Sequence, residues 1–454
     1  MTEVEAAAKT EEKGKEHICV VGLGRIGLPT ACLLAEAGFE VIGVDSNPQL
    51  LEAIKTHRPP FLEQNLDLLL ENSLKSGRLT ATRDLKDAAS RATAILIAVP
   101  TLLDARKNPD YSILERVCKD IGSYMKKGTL IIVASTTGPG VTESLVKGAL
   151  EKASGLKVGT DFSLACSPVR ASVGQIVRDL KGYTRLVGGV DETSLNRAAA
   201  IISSISNGNP MKMKNMKTAE AVKVFENTYR AVNIALANEL AEFCEEEGLN
   251  YFEVSDAANT QPFCHLHRPG IVGGWCIPVN PYFLIAEADD VDVDLPVITS
   301  AIRLNQAIPR HVVSLVADTL KRCGKGLKRA RILILGASFK ANVKDANNST
   351  AGALGGLLKK RGARVTVCDP LFKASELEAL GFKASPSLDE ALEGADCVVV
   401  SVGHDQFRQQ KQKILSRFSK KGIFAVVDCS GSNIFSPEDS TEKVICASLG
   451  VSSS

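Results

Sequence analysis

The sequence lacks any apolar run long enough to cross a membrane, and it lacks a long stretch dominated by charge of one sign. Its 54 lysines and arginines nearly balance its 52 aspartates and glutamates, which leaves a formal net charge of +2 and no basic stripe of the kind that binds nucleic acid. Residues 1–16 are rich in Ala, Glu and Lys and lack the apolar core of a secretory signal. We therefore predict a polar tail at 1–16, and neither a membrane nor a nucleic acid as a partner.

The twelve cysteines also lack an ordered spacing. They form no disulfide framework, and several lie in apolar, strand-like runs, among them Cys19, Cys166 and Cys397. Free thiols within apolar strands are typical of a protein in a reducing compartment. We therefore expect reduced thiols and a cytoplasmic location.

With 454 residues, 44% of them hydrophobic and 23% charged, the chain is long enough for two or three globular domains. Short, β-branched apolar runs alternate with helical patterns in its first half. The runs predict strands at 17–22, 41–45, 94–100 and 129–135, with helices over 28–37 and 49–55 among the connections. This alternation predicts an α/β fold with a doubly wound parallel sheet.

A different pattern begins near Lys217 and reaches Glu247 without Gly or Pro, and it predicts one long helix. Such a helix forms either a spine between domains or a dimer interface, and the sequence leaves both open. After a linker near 322–328, strand-like runs return at 331–336, 364–369, 396–402 and 424–428. The fold class that we predict is therefore α/β, with two doubly wound Rossmann-like domains joined by a central helical segment.

A glycine-rich turn follows the first predicted strand. The segment Gly22-Leu-Gly24-Arg25-Ile26-Gly27 has the form G-x-G-x-x-G, in which the first glycine permits a tight turn, the second admits a pyrophosphate and the third packs helix on strand. The N-terminus of the next helix then turns its partial positive charge toward the phosphates. Asp45 ends the second strand, where its carboxylate can accept the ribose hydroxyls and repel a 2′-phosphate. The pattern predicts bound NAD rather than NADP.

Further motifs extend from His17 to about Gly431. They are Gly22-Leu-Gly-Arg-Ile-Gly-Leu-Pro29, Val99-Pro100-Thr101, Ser135-Thr136-Thr-Gly-Pro-Gly140, Lys223-Val-Phe-Glu-Asn227-Thr-Tyr-Arg230 with Asn238-Glu239, Gly273-Gly-Trp-Cys276-Ile-Pro278, and Phe339-Lys340. In the order and spacing of these motifs, the chain resembles the nucleotide-sugar 6-dehydrogenase family, which includes UDP-glucose and UDP-N-acetylmannosamine dehydrogenases.

The resemblance implies an arrangement of three functional segments. Residues 17–210 would form the NAD-binding Rossmann domain, 211–325 a central helical segment for dimerisation and catalysis, and 326–454 a nucleotide-sugar-binding α/β domain. It further implies a homodimer that uses NAD to oxidise the C6 alcohol of a UDP-sugar to a carboxylate in two steps. The product of such an enzyme would serve polysaccharide biosynthesis.

The resemblance also implies roles for individual residues. Cys276 would carry the intermediate, because a thiolate is strongly nucleophilic near neutral pH. Lys223 and Asn227 stand four apart, so that one helical face can present both, Lys223 to assist proton removal or stabilise an oxyanion and Asn227 to orient the oxygen or a water. Thr136 would lie beside the nicotinamide and hold a catalytic water. Asn280 completes the implied catalytic set.

The implied binding residues fall into two groups. Besides the glycine turn and Asp45, the cofactor would contact Pro100, Thr101, Ser135 and Thr136. The substrate would contact Arg170, Lys223, Asn227, Arg268, Gly270, Gly273, Phe339 and Lys340.

Several positions depart from the family pattern. The usual Pro-Glu-Arg has Val169, the usual His before the cysteine is Trp275, and the usual Asp four residues after it is Asn280. An expected arginine is replaced by Asn347 in the second domain and another by Phe263, for which Arg268 would have to compensate. Loss of a general base costs about a hundred- to ten-thousand-fold in rate, so that hydrolysis of a thioester on the cysteine is harder to arrange than hydride transfer.

Three hypotheses follow, in descending order. The first is a 6-dehydrogenase with an altered site, and the second is an enzyme that oxidises its sugar only transiently, such as a redox-neutral epimerase. The third is a non-catalytic nucleotide-sugar-binding homologue, against which the retained Cys276, Lys223, Asn227 and Thr136 argue.

Two weaker signals concern histidines. Cys264, His265 and His267, taken with Cys276, match no closed four-ligand zinc pattern, so we expect no metal. His404 follows a predicted strand, where contact with a nucleotide and a structural hydrogen bond are equally compatible with the sequence.

Overall fold

A computed structural model describes residues 16–418 and 423–452. The predicted polar tail therefore lies outside the described residues, apart from Glu16. The strands are β1 (His17–Val21), β2 (Glu40–Val44), β3 (Leu79–Thr82), β4 (Ala94–Ile97), β5 (Leu102–Leu103), β6 (Pro109–Asp110), β7 (Leu130–Val133), β8 (Ser163–Cys166), β9 (Leu186–Gly189), β10 (Met211–Lys212), β11 (Arg331–Leu335), β12 (Arg364–Cys368), β13 (Cys397–Val400), β14 (Phe424–Asp428) and β15 (Val444–Ser448).

The α-helices span Gly27–Glu36, Pro48–Lys55, Leu66–Lys75, Leu85–Arg91, Ser112–Tyr124, Lys147–Ser154, Ile176–Gly182, Glu192–Ser203, Met216–Glu246, Tyr251–Ala258, Asn280–Asp289, Pro296–Arg322, Thr350–Lys360, Ala374–Ala379, Leu388–Leu392, Asp405–Gln409 and Lys411–Phe418. Thr142–Val146 forms a π-helical turn and Pro437–Asp439 a 3₁₀ turn. Among the described residues, no helix combines the length and the apolar character that a membrane span requires.

The first sheet is doubly wound, as the strand and helix alternation predicts. Its strands lie in the order β10-β9-β8-β7-β4-β1-β2-β3, and the run from β3 to β8 is parallel throughout. Successive residues of β1 alternate between two apolar cores, with Ile18 and Val20 in one and Cys19 and Val21 in the other. Both faces of the sheet are therefore covered by helices, as the apolar parallel strands require.

One edge of this sheet departs from the predicted parallel arrangement. β9 pairs antiparallel with β8, with Ala165 opposite Gly189 and Cys166 opposite Gly188, and β10 then pairs parallel with β9. The helix Ile176–Gly182 between β8 and β9 is short, and the connection returns β9 in the opposite direction.

The second sheet has five parallel strands in the order β12-β11-β13-β14-β15. Residues of β11 also alternate between two cores, with Ile332 and Ile334 on one face and Leu333 and Leu335 on the other. This strand order is that of a flavodoxin-like doubly wound sheet.

The chain divides into two compact units. Of the described residues, the first unit comprises 16–226 and 282–293, and the second comprises 227–281 and 294–452. The long helix Met216–Glu246, which the sequence predicts over 217–247, contributes to both. Residues 322–328, predicted as a linker, connect a helix to β11 within the second unit. The functional boundaries at 210 and 325 remain a prediction.

Candidate functional site

The glycine turn after β1 is shaped by three different constraints. Gly22 has φ +89°, and a Cβ there would lie 2.7 Å from the carbonyl oxygen of Ala98. A Cβ on Gly27 would collide with the carbonyl oxygen of Gly22, so the third glycine closes the turn onto the helix. A Cβ on Gly24 would meet no heavy atom of the described residues within 4 Å, so the backbone there faces open space. That space is where a pyrophosphate would approach the turn.

Asp45 holds this turn from the end of β2. One carboxylate oxygen accepts the backbone N–H of Leu23 at 2.8 Å, and the other accepts the N–H of Asn47, also at 2.8 Å. The side chain is partly exposed, so it keeps accepting capacity for a ligand hydroxyl. Arg25 lies over the ring of Phe61, 5.1 Å from its centre.

The loop after β7 presents Thr136 on a fixed backbone. The Thr101 hydroxyl donates to the carbonyl oxygen of Thr136 at 2.6 Å, and the Ser135 hydroxyl donates to that of Val99 at 2.7 Å. The backbone N–H of Gly138 donates to the Tyr111 hydroxyl at 2.9 Å. These bonds join the loops that follow β4 and β7, at the carboxyl edge where doubly wound sheets bind ligands.

Lys223 and Asn227 lie one turn apart on the long helix, and both are buried. The Asn227 side-chain amide donates to the side-chain oxygen of Asn280, which is also buried. The backbone N–H of Asn280 donates to the carbonyl oxygen of Cys276 at 2.8 Å. Asn227, Asn280 and the Cys276 loop are therefore connected through hydrogen bonds.

The Gly273–Cys276 segment packs tightly on Phe339. A Cβ on Gly274, whose φ is +81°, would lie 2.8 Å from the Phe339 ring, and one on Gly273 would lie 2.8 Å from the carbonyl oxygen of Asn348. The Asn348 side chain donates to the carbonyl oxygen of Gly274 at 3.1 Å. These contacts leave no room for side chains on the inner side of the loop, and Trp275 is 47% exposed.

Cys276 is exposed, whereas Cys264 is half-buried and the other ten cysteines are buried; all twelve are free thiols. Burial raises the pKa of the Cys19 and Cys118 thiols to about 12, which keeps such thiols protonated and unreactive. Cys276 is therefore the cysteine most accessible to an external electrophile.

Asn238, part of a sequence motif without a predicted role, holds the segment before this loop. Its side-chain oxygen accepts the N–H of Gly270 at 2.7 Å, and its amide donates to the carbonyl oxygen of Gly270 and to Asn305. Gly270, predicted to contact substrate, thus has its backbone polar groups satisfied by one buried side chain.

The two arginines predicted to bind substrate are engaged in local contacts. Arg170 forms an ion pair with Glu226 at 2.5 Å and donates to the carbonyl oxygen of Thr184. Arg268 forms an ion pair with Asp256 at 2.6 Å, donates to the Ser255 hydroxyl and lies over Phe252. Neither guanidinium extends freely from the fold.

The positions that depart from the family pattern have distinct environments. Val169 is buried in an apolar core, where it offers no proton acceptor. Asn347 donates to the Asp345 carboxylate at 2.7 Å. Phe263 is 93% exposed, and Lys340 is exposed as well.

The second sheet carries an acid in the position equivalent to Asp45, but the protein itself occupies it. Asp369 follows β12 and accepts the backbone N–H groups of Ala337 and Ser338, at 2.7 and 3.0 Å. His404 is buried beside it, with Nε2 3.1 Å from the carboxylate and Nδ1 accepting the N–H of Asn342. Burial alone would raise the pKa of Asp369. The hydrogen bonds and the neighbouring imidazole lower it by more than burial raises it, so the pKa lies below its ordinary value. His404 thus forms structural hydrogen bonds. Of the two acids, Asp45 and Asp369, it is Asp45 that keeps accepting capacity for a ribose.

The predicted site residues are distributed over the two units. The glycine turn, Asp45, Thr136 and Lys223 belong to the first unit, whereas Asn227, Cys276, Asn280 and Phe339 belong to the second.

Sequence reasoning gave no role to Glu220, whose buried carboxylate binds the loop after Thr136. Its position three residues before Lys223, on the same helical face, is the signal that marks it. Among the described residues, no group of His, Cys, Asp or Glu side chains has the arrangement of a metal site.

Comparisons with known proteins cover most of the chain. Profiles of the UDP-glucose/GDP-mannose dehydrogenase family match in three parts: the NAD binding domain at residues 16–206, the central domain at 217–307 and the UDP binding domain at 333–432. The chain is 34% identical over 419 residues to a UDP-N-acetyl-D-mannosamine dehydrogenase from Pyrococcus horikoshii, covering 92% of this chain and 96% of that one.

Solved structures give the same result. The fold is similar to that of UDP-D-ManNAc dehydrogenase from Pyrococcus horikoshii, with a TM-score of 0.87 and 32% identity over 96% of this chain and 100% of that chain. A UDP-glucose dehydrogenase from Pyrobaculum islandicum is similar with a TM-score of 0.85 and 26% identity, covering 97% and 99% of the two chains.

Proposed function

Since this chain belongs to the UDP-glucose/GDP-mannose dehydrogenase family, we propose that it oxidises the C6 alcohol of a UDP-sugar toward a uronate, with NAD as oxidant and Cys276 as the carrier of the intermediate. The relatives named UDP-N-acetyl-D-mannosamine dehydrogenase make UDP-N-acetylmannosamine the first substrate to test. The observation that carries the proposal is the exposed Cys276 thiol on a fixed loop whose backbone is bound by Asn280.

The glycine turn fits a dinucleotide. Open space at Gly24 admits a pyrophosphate, the N-terminus of the helix Gly27–Glu36 faces it, and Asp45 accepts ribose hydroxyls. Pro100, Thr101 and Ser135 line the adjoining loops. When bound there, NAD supplies the hydride acceptor for each oxidation.

The chain's own residues handle the proton and the carbonyl carbon. Lys223 accepts the alcohol proton or stabilises the developing oxyanion, while Asn227 orients the same oxygen. Cys276 then adds through sulfur to the C6 aldehyde, and the resulting thiohemiacetal loses a second hydride and a proton to become a thioester. Water hydrolyses the thioester to the carboxylate and restores the thiol, and the Thr136 hydroxyl and Asn280 are the polar groups that we assign to this water.

A redox-neutral reaction is the second candidate, because the structure has neutral side chains at the two positions where the family pattern has acids. Val169 is packed among apolar residues, and Asn280 presents an amide. If no base activates water, the thioester on Cys276 is not hydrolysed and no uronate is released. In a redox-neutral reaction the aldehyde or ketone formed by the first oxidation is reduced again before a thioester forms.

Homodimer formation is also part of the proposal. Phe225, Tyr229, Leu236 and Phe243 recur at intervals of four and seven along the long helix and are 42–56% exposed. Residues at these intervals share one helical face, and an apolar face of this length is the type of surface that a second copy covers. Burial of these side chains would favour association by about 25 cal/mol per Å² of apolar area, opposed by the freedom that the two copies lose on binding.

The test compares wild type with Cys276→Ser and Cys264→Ser after incubation with NAD and UDP-N-acetylmannosamine, UDP-glucose or UDP-N-acetylgalactosamine, with the products identified by mass spectrometry. We expect a uronate from wild type and Cys264→Ser, and no uronate from Cys276→Ser. Uronate formation by Cys276→Ser at the wild-type rate would refute the assignment of Cys276.

A further inference from the structure

Glu220 is a charged side chain buried in the first unit, and its carboxylate is fully used. One oxygen accepts the Thr137 hydroxyl at 2.8 Å, the Thr142 hydroxyl at 2.6 Å and the Thr142 N–H at 3.0 Å. The other accepts the N–H of Gly140 at 2.6 Å. All of these donors lie in the segment that follows Thr136, 78 to 83 residues away from Glu220 in sequence.

These donors include backbone groups at the start of a helix. The helical turn Thr142–Val146 leads into Lys147–Ser154, and Val141 at its N-cap provides no side-chain hydrogen bond. The first N–H groups of a helix need acceptors, and a negative charge there is favoured by the helix dipole. Glu220 therefore caps this helix from another element of the fold.

A cap of this kind costs free energy, because it requires a charged carboxylate to be buried. A neutral serine at position 141 could cap the helix without burying a charge. Burial raises the pKa of Glu220, although its hydrogen bonds act in the opposite direction. What the remote carboxylate adds is a rigid connection between the long helix and the loop that carries Thr136.

The same helix carries Lys223 three residues further on, so Glu220 and Lys223 share one helical face. The hydrogen bonds of Thr101 and Ser135 hold the loop at residues 135 and 136, and Glu220 holds it from Thr137 onward. Glu220 therefore joins the Lys223 helix directly to the segment that follows Thr136.

We propose that Glu220 is a positioning residue that holds the Thr136 loop and the Lys223 helix in register, so that hydride and proton leave the same substrate alcohol from a fixed geometry. The inference rests on the proposed function, in which the nicotinamide lies at the Thr136 loop and Lys223 receives the proton. A displacement of about 1 Å costs on the order of a hundredfold in rate.

The test uses Glu220→Gln, which keeps the shape of the side chain and removes its charge, with Glu246→Gln at the exposed end of the same helix as a control. We expect Glu220→Gln to lower kcat by roughly ten- to a hundredfold and to weaken NAD binding. The Kd for the UDP-sugar should stay at the wild-type value, and the deuterium isotope effect with C6-deuterated substrate should rise, because hydride transfer becomes slower than product release.

A second pair keeps the inference testable if Glu220→Gln does not fold. Thr142→Val removes one donor to Glu220 and should show part of the effect, whereas Thr142→Ser keeps the hydroxyl and should retain the wild-type isotope effect. A folded Glu220→Gln with wild-type kcat and isotope effect would overturn the inference. So would a loss of activity that follows the loss of thermal stability without a change in the isotope effect.

NAD affinity separates this inference from the proposed function, because it needs no turnover. If wild type oxidises no UDP-sugar, the proposed function fails, while weaker NAD binding by Glu220→Gln than by Glu246→Gln still supports the role of Glu220 in placing the loop. Unchanged NAD affinity would then overturn that role.

Discussion

The side-chain amide of Asn227 donates a hydrogen bond to the side-chain oxygen of Asn280, and both residues are buried. An aspartate at position 280 could accept the same bond, since it has an oxygen in the same place. It would also provide a carboxylate within the hydrogen-bond chain that leads to the Cys276 backbone. The neutral amide at position 280 is therefore a specific chemical difference from the family pattern within this hydrogen-bond chain.

Asn280→Asp should accelerate uronate formation. A carboxylate can take a proton from the water that hydrolyses the thioester, and a general base contributes about a hundred- to ten-thousand-fold. We expect an increase toward the lower end of that range, measured as the rate of uronate release with the first oxidation unchanged. Asn280→Leu, which removes the bond to Asn227, is the comparison that should lower both steps. A rate for Asn280→Asp equal to or below wild type would mean that residue 280 does not limit hydrolysis.

Gly24→Ala should weaken NAD binding without loss of stability, whereas Gly27→Ala should lower the stability of the fold. A methyl group at Gly24 meets no atom of the described chain within 4 Å, so the variant should keep its melting temperature but lose NAD affinity, by about tenfold or more, because the methyl occupies the approach of the pyrophosphate. A methyl group at Gly27 collides with the Gly22 carbonyl, so that variant should be destabilised by a few kcal/mol. Calorimetry of unfolding and of NAD binding measures both. Wild-type NAD affinity in Gly24→Ala would argue against a dinucleotide at this turn.

Phe243→Glu should convert the predicted dimer to a monomer. A charge on the apolar face of the long helix cannot be buried against a second copy without a large desolvation cost. Phe263→Glu is the matched control, since Phe263 is 93% exposed and lies outside that helix. Light scattering coupled to size-exclusion chromatography gives the masses. A monomeric wild type, or a dimeric Phe243→Glu, would contradict the assignment of this face.

Stability should depend on pH through His311. The hydrogen bond to Glu245, 2.8 Å long, raises the pKa of His311 above its ordinary value, although burial lowers it. Because the native state binds this proton more tightly than the unfolded state, the stabilisation is complete below about pH 6.5 and is lost as the pH rises through the raised native value. Wild type should exceed His311→Gln in melting temperature by a few degrees at pH 6 and by less at pH 9.

The partner variant Glu245→Gln should lose the same pH dependence as His311→Gln, because it removes the carboxylate that binds His311. A difference between wild type and His311→Gln that grows toward pH 9 would reverse the sign of the linkage and disprove the ion pair.

Local patterns were sufficient to predict much of the fold and the turn at Gly22–Gly27. The glycine turn and Asp45 depend on strand, turn and helix in sequence, and the two sets of apolar strands were predicted within two or three residues. The resemblance to relatives placed Cys276 and Asn227 in motifs, and the structure connects them through Asn280.

Relationships between distant residues could not be predicted in this way. The antiparallel direction of β9 depends on the path of the chain between β8 and β9. The helix cap that Glu220 provides joins residues about 80 positions apart. The same holds for Asp369, which has the sequence position of a ribose-binding acid but is occupied by backbone N–H groups and His404. Periodicity and spacing carry no information on which buried partner a carboxylate finds.

The proposed oxidation to a uronate is decided by the number of NADH molecules formed per UDP-sugar consumed by the wild-type protein with the sugar limiting. We predict about two NADH per sugar, together with a uronate, since oxidation of an alcohol to a carboxylate removes two hydrides. Sugar conversion without net NADH would contradict this proposal and would identify the redox-neutral reaction instead.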